Sequence, residues 1–443
     1  MVIWTENARM GEPYWQLNAA PAPKFAAGLP PKADILIIGA GYTGLSAAIA
    51  AHDTGADVVV LDREQPGAGA SSRNGGMFGA HPRLGWRELA KLFGEAVADA
   101  LFAEAKPALE CVKSLIADEK IDCDLQHTGR IQLAWTAGHF EALKTLAEDV
   151  AAKSEVQAHI VERRDLAAEI NTDRYFGGLV LAEHCGIDPQ KLHLGLVQAA
   201  QARGIKILAN CEVSDLARKH GGFVATTPLG RINADKVILA TNGYTTDNFR
   251  WFQRRVFPLP SYLIATEELP EGLIAHLAPG GRMMVETRAR HSYFRASPDG
   301  KRILFGGRAS MRDLPLDVAA KRQHATMCEV WPELSQTRLS HVWKGFTGYT
   351  FNHMPHVGCE NGLHYALGFS GSGTVMATYL GRKVALQATG AEGGETAYSQ
   401  TRLATSWLHP FTRPHFLKAA DLWYRTWVDT RENYLNRQGR SPL

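Results

Sequence analysis

The chain has 443 residues, 45% of them hydrophobic and 21% charged, which excludes a disordered or fibrous protein and suits a globular enzyme of two or three interleaved domains. A formal net charge of +3 with no basic block offers no nucleic-acid patch. Six cysteines (Cys111, Cys123, Cys185, Cys211, Cys328 and Cys359) with no Cys-x-x-Cys pair exclude a zinc ribbon and a disulfide scaffold, and fit buried thiols in a reducing compartment.

The N-terminal Met-Val-Ile-Trp-Thr-Glu lacks the basic and apolar regions of a secretory signal, so a cytoplasmic protein is expected. Residues 1–31 read as an arm. Trp4, Tyr14 and Trp15 sit among polar residues, and Pro21, Pro23, Pro30 and Pro31 oppose regular structure. The aromatics are expected to dock on the body, where the arm either packs or lines a substrate entrance or a subunit contact.

Asp34–Ala51 then runs a short apolar strand into G-x-G-x-x-G and a small-residue helix. In that geometry Gly39 permits the tight turn, Gly41 lets backbone approach a pyrophosphate, and Gly44 lets helix and strand pack closely. Asp62 ends the next strand about 20 residues on, where a ribose hydroxyl needs an acceptor. An adenine dinucleotide is therefore expected. The only long uncharged segment, Ile35–Ala51, is this nucleotide site and not a membrane span. The Gly/Ala/Ser stretch Pro66–Met77 is unsuited to a packed strand or helix interior and lets backbone pass close to something flat or charged. Ser71 and Ser72 can donate to phosphate or ribityl oxygens, and the amides of Asn74–Met77 can reach a ring edge.

From Trp86 to Lys120 apolar residues recur three and four apart, as in helices. A strand is expected over Thr128–Trp135, a helix over Phe140–Ser154, a strand over Gly177–Glu183 and a helix over Leu192–Ala202 closed by Gly204. Strands Ile205–Ala209, Phe223–Thr227 and Lys236–Ala240 follow. Between Pro258 and Gly307 strands alternate (Ser261–Thr266, Met283–Glu286, His291–Ala296 and Arg302–Gly306), with a hairpin turn at Pro298-Asp-Gly300. This reads as an antiparallel sheet inserted between parallel-type segments. Val318–Trp331 is a helix, Trp343–Phe369 returns to strands, and Gly368-Phe-Ser-Gly-Ser-Gly-Thr374 opens the helix Val375–Ala388. That second helix N-terminus can face an anion or developing negative charge. The tail, residues 401–443, carries seven Lys/Arg against three Asp/Glu with Trp407, Phe411, Phe416, Trp423 and Trp427, and is expected to dock as helices; membrane-surface or partner binding is the alternative.

Ile37–Ala48, Gly69–Gly76, Ala240–Tyr244 and Gly368–Thr374 together resemble the D-amino-acid oxidase superfamily of FAD-dependent amine and amino-acid oxidoreductases over nearly the whole chain. Tyr42-Thr43, Arg73-Asn-Gly-Gly76 and Leu408-His-Pro-Phe411 are similar to gamma-glutamylputrescine oxidoreductases in particular. The resemblance implies an α/β (α+β overall) architecture: a Rossmann-like FAD-binding domain with an inserted antiparallel-sheet substrate domain. After the arm (1–31), FAD-binding segments are expected at 32–86, 157–247 and 341–396, substrate segments at 87–156 and 248–340, and a helical extension at 397–443. Carried over by position, Gly39, Gly41, Tyr42, Thr43 and Gly44 serve the pyrophosphate and Asp62, with Arg63 beside it, the adenosine ribose. Ser71, Ser72, Arg73, Asn74, Gly75, Gly76 and Met77 run along the pyrophosphate and ring, with Thr241, Asn242 and Gly243 also at the cofactor. Val213 meets adenine through its backbone, and Gly371, Ser372, Gly373 and Thr374 place a helix N-terminus at the flavin pyrimidine edge. Two departures stand out. Monomeric sarcosine oxidases tether flavin through a cysteine near the position of Thr347, so FAD is expected to be non-covalent. Their lysine two residues after the second loop's last glycine is Val375 here.

The chemistry implied is hydride transfer from the carbon next to nitrogen to flavin, giving an imine that hydrolyses, with electrons passing to oxygen or another acceptor. A dehydrogenase that avoids oxygen and a non-amine flavoprotein such as an RNA-modifying enzyme are the alternatives. Tyr293 and Arg295 alternate on one strand face, and Arg295 either pairs with a substrate carboxylate or is an ordinary surface arginine. Trp343, Tyr349 and Phe351 either line an apolar wall or pack the core. His353 and His356 flank Met354-Pro355 as proton shuttles or structural histidines, and no metal site is expected.

Overall fold

The computed structural model describes residues 2–17, 19–21, 23–219, 221–410 and 413–439. Two large sheets carry the architecture. In the eight-stranded sheet Lys32–Ile38 pairs in parallel with Val58–Leu61 on one side and Gly230–Leu239 on the other. Val58–Leu61 pairs on with Lys206–Leu208, and Gly230–Leu239 also takes Leu363–Leu367 in parallel. Its central strands Lys32–Ile38 and Val58–Leu61 are largely buried on both faces, which is why they read as Val/Ile/Leu runs. Helices Tyr42–Asp53, Pro189–Ala202 and Gly373–Thr389 cover one face through a single core that includes Leu45, Leu196 and Leu380. Gly381 lets two of them touch: a methyl on it would stand 2.4 Å from the Thr43 carbonyl oxygen.

The nine-stranded sheet is mainly antiparallel, with Phe257–Thr266 held between Leu339–Tyr349 and Ile303–Gly307. Ser292–Ala296, Met283–Glu286, Arg130–Leu133, Gly177–Leu181 and Ala158–Glu162 continue it. The turn expected at 298–300 is present, with Gly300 N–H donating to Ser297 O at 2.8 Å. Helix Leu316–Val330 packs on the face away from the first sheet, around Trp331 and Phe305.

The arm differs from expectation. Trp4–Met10 is a strand, pairing in parallel with Leu339–Tyr349 at the sheet edge, because that neighbour's exposed ladder supplies the hydrogen bonds. Tyr14 and Trp15 do dock, both buried, and Trp15 Nε1–H donates to Asn74 O at 2.9 Å. Sheet membership also cuts across the expected segments. Helices Trp86–Phe93, Glu95–Ala103 and Ala105–Asp118 pack into the nucleotide-sheet core, whereas Ala158–Glu162, Gly177–Leu181 and Leu339–Tyr349 join the nine-stranded sheet.

The tail folds as Phe416–Trp423, a π-helical turn over Tyr424–Val428, and Asp429–Gln438. It is pinned by Asp421, which accepts from Ser310 Oγ–H and Met311 N–H, and by Asn436, buried against Trp135 O. Trp423 and Trp427 stack at 5.9 Å and stay exposed, and Phe411 lies outside the described residues. Among the described residues no helix is long and apolar enough to cross a membrane.

Candidate active site

Two cavities meet between the sheets, sharing Ala70, Asn74, Thr347, Gly371 and Thr374 in their walls. The first follows the ends of the parallel strands. Helices Tyr42–Asp53 and Gly373–Thr389 open on it, and neither has a side-chain cap, so N–H groups and positive dipole ends face the space. Gly39 has φ +107° and lies so close to strand Gly230–Leu239 that a methyl would stand 2.9 Å from Ala240 O. A methyl on Gly41 would stand 2.8 Å from Ser71 Oγ, the atom that accepts the Tyr42 N–H at 3.0 Å. These glycines keep open a cradle that side chains would fill, which fits a diphosphate.

Most of the expected cofactor residues converge here. Tyr42, Thr43, Asp62, Arg63, Ser71, Val213, Thr241, Asn242 and Gly373 line the first cavity. Asp62 accepts from Ala40 N–H at 2.7 Å and Glu64 N–H at 3.0 Å, fixing its carboxylate at the strand end; burial raises its pKa. Arg73, Gly75, Met77 and Ser372 line the second cavity instead. Four positions act behind the wall. A methyl on Gly44 would overlap Gly39 O, Gly243 backs onto Gly348, Ser72 donates to Gly67 O, and Gly76 O receives Arg295. The loop carrying Arg73 and Asn74 is gripped at consecutive carbonyls, by Trp343 Nε1–H on Arg73 O (2.9 Å) and Trp15 on Asn74 O.

The second cavity lies under one face of the nine-stranded sheet, where register aligns Gln132, Val285, Tyr293 and Gly306 in a row across four strands. Tyr293 donates to or accepts from Ser261 Oγ at 2.9 Å, and burial pushes its phenol up to about 12. Tyr349 lines it too, its hydroxyl taking N–H groups from both Arg83 (3.1 Å) and Arg308. Tyr424 of the tail packs in the same cluster as Tyr349.

Two expected catalytic residues are elsewhere. Arg295 is buried and makes four hydrogen bonds, to Ala296 O, Gly76 O, Ile187 O and Gln126 Oε1, so it anchors the glycine-rich loop and is not free for a carboxylate. His353 stands edge-on to Tyr349 with ring centroids 5.9 Å apart and lines neither cavity. His356 is structural, bonded to Thr401 and Asn352. Phe351 joins Phe257 and Phe416 in an aromatic cluster.

The sequence reading missed Arg83, Arg130, Arg308, His81 and His291, all of which line the second cavity. His291 is held well below its usual pKa by burial and then by Arg308, Arg83 and Arg130, so it is neutral at pH 7. The one available signal was Arg83 in Gly79-Ala-His-Pro-Arg83, directly after the glycine-rich loop.

Among known proteins, the family described as FAD dependent oxidoreductase matches residues 34–387. A "Probable oxidoreductase OrdL" of Rhizobium meliloti is 32% identical over 369 residues, 81% of this chain and 83% of that one. The gamma-glutamylputrescine oxidoreductase of Escherichia coli is 27% identical over 356 residues, 80% of this chain and 82% of its own. Glycine oxidase from Geobacillus kaustophilus superposes with a TM-score of 0.70 at 18% identity, over 84% of this chain and 99% of that chain. With this match and a cradle shaped for a dinucleotide, the chain belongs to the FAD-dependent oxidoreductase family of D-amino-acid oxidase type, and its cofactor is FAD.

Proposed function

We propose that the protein oxidises the C–N bond of an amine or amino acid, giving an imine that hydrolyses to a carbonyl compound and an amine, with FAD held non-covalently. The observation that carries this is the meeting of the dinucleotide cradle with a second cavity walled by guanidiniums, phenols and a neutral imidazole. Bound FAD supplies the hydride acceptor. The chain's own residues handle charge and protons. Arg83, Arg130 and Arg308 around the cavity disfavour a second positive charge, so they lower the pKa of a bound amine and favour its neutral form. His291, neutral for the reason given above, lines the same cavity and adds no positive charge beside that amine. Ser261 orients Tyr293 on the sheet face, leaving its ring to shape the pocket beside Gly75.

The test is anaerobic titration of the holoprotein with polyamines, gamma-glutamyl amines, N-methyl amino acids and D-amino acids, followed by the flavin absorbance. Bleaching by one class supports the reading; a yellow protein that none of them bleaches refutes it. Acid precipitation that leaves yellow colour in the pellet refutes non-covalent attachment. Repeating the reaction in an oxygen electrode tells an oxidase from a dehydrogenase.

A further inference from the structure

Arg83, Arg130 and Arg308 share one cavity, and among the described residues none of them has a carboxylate partner within salt-bridge distance. Arg288, on the same wall, is neutralised by Glu286 and Glu329, and Arg73 is spent on the carbonyls of Ala68, Gly11 and Lys344. The three unpaired guanidiniums form two groups. Arg83 and Arg308 converge on the single hydroxyl of Tyr349, a placement in which two like charges repel unless an anion sits with them. Arg130 lies apart from them on strand Arg130–Leu133, against the His81 ring at 2.8 Å and with its Nε unpartnered, and Gln132, two residues along the same strand face, lines the cavity beside it. His81 and His184 behind it are both kept neutral by burial and by Arg130, so neither compensates nor adds to the charge there. None of these arginines lines the dinucleotide cradle, so the diphosphate is not their counter-ion. The flavin ring contributes at most one negative charge, which leaves about two positive charges to be met by whatever else binds.

We propose that the ligand of this cavity carries two carboxylates, one held by Arg83 and Arg308 with Tyr349 and the other by Arg130 with the side-chain amide N–H of Gln132. Resting on the amine-oxidoreductase reading, this makes the substrate an amino or imino dicarboxylic acid, not a polyamine. A cationic chain would place its distal ammonium among guanidiniums, whereas a second carboxylate meets the charge of Arg130, which has no carboxylate partner among the described residues.

The experiment uses the FAD-loaded full chain and reads the perturbation of the flavin absorbance by unreactive probes, succinate and glutarate against butyrate, with putrescine and dicarboxylic amino acids added separately as candidate substrates. Succinate or glutarate is expected to bind at least about 10-fold more tightly than butyrate, and Arg130→Met to weaken the dicarboxylate by about 10- to 100-fold while leaving butyrate within threefold. Arg308→Met is expected to weaken dicarboxylate and butyrate alike, since it removes the subsite both share. Equal binding of succinate, glutarate and butyrate by the native protein overturns the proposal, as does bleaching by putrescine in preference to dicarboxylic amino acids. An Arg130→Met protein that retains FAD and loses both probes equally also overturns it. If dicarboxylates bind selectively while no amine of any class bleaches the flavin, the two-anion site stands and the amine reading falls.

Discussion

Gly381→Ala is the most informative single change, because two effects of known size oppose each other at one atom. Gly381 lies inside helix Gly373–Thr389, and adding a methyl there gains about 1 kcal/mol of helix propensity. The same methyl would stand 2.4 Å from the carbonyl oxygen of Thr43, a backbone atom in the first turn of helix Tyr42–Asp53. Restoring an ordinary contact of about 3.5 Å requires the two helices to separate by about 1 Å, and such overpacking costs about 1–3 kcal/mol. Net stability of the apoprotein should therefore fall by only about 0–2 kcal/mol. FAD affinity should fall further, since both helices open on the cofactor cradle and a charge-assisted hydrogen bond from a displaced amide is worth about 1.5–3 kcal/mol, or about 10- to 150-fold in Kd. Urea unfolding of the apoprotein and fluorescence titration with FAD separate the two quantities. Gly138→Ala, whose methyl would meet nothing nearer than Thr136 Oγ1 at 3.9 Å, is the control and should leave FAD binding unchanged. A Gly381→Ala protein that binds FAD within twofold of wild type would refute the argument that helix contact sets the cradle.

Other expectations follow the same logic. His356 is fully buried and burial lowers its pKa to about 4, so between pH 6.5 and 4 the folded state binds fewer protons than the unfolded one. Stability should fall as pH drops through that window, by up to about 3 kcal/mol for this group, and His356→Gln should flatten part of the slope in urea midpoints measured against pH. Asp62→Asn keeps one acceptor oxygen where the part-buried Ala40 N–H and the exposed Glu64 N–H now have one each, so one of them loses its partner, at about 0.5–1.5 kcal/mol. FAD titration and thermal melting should both register it; an unchanged FAD affinity would remove Asp62 from the cofactor site. Saturating the apoprotein at about 100 times Kd should raise stability by about 2.7 kcal/mol, and calorimetry showing no FAD-dependent shift would contradict a preformed cradle.

The nucleotide site was legible because its signal is local: strand, glycine turn and helix follow one another in sequence from Asp34 to Asp53. The insertion of an antiparallel sheet was legible for the same reason, through alternation and the turn at 298–300. Trp4–Met10 was hidden, since an edge strand with mostly half-exposed or exposed residues has no apolar period, and its partner lies more than three hundred residues away. Alternation puts Tyr293 and Arg295 on one strand face, yet Tyr293 lines the second cavity while the guanidinium of Arg295 turns to the carbonyls of Gly76 and Ile187. Arg83 comes from a loop, Arg130 from a strand and Arg308 from just past the end of strand Ile303–Gly307; each alone looks like a surface arginine, and only topology makes them a group.

The double grip on the glycine-rich loop bears on how the cofactor is exchanged. One tryptophan belongs to the sheet and the other to the arm, and Trp15 is 2% exposed. Swinging that wall away from the dinucleotide means extracting a buried indole and unzipping the strand next to it. If FAD leaves by that route, its release is expected to wait on a local unfolding event, and replacing Trp15 should speed it. Flavin retained through long dialysis by the wild-type protein, and lost sooner by a Trp15→Ala variant, is the expected outcome.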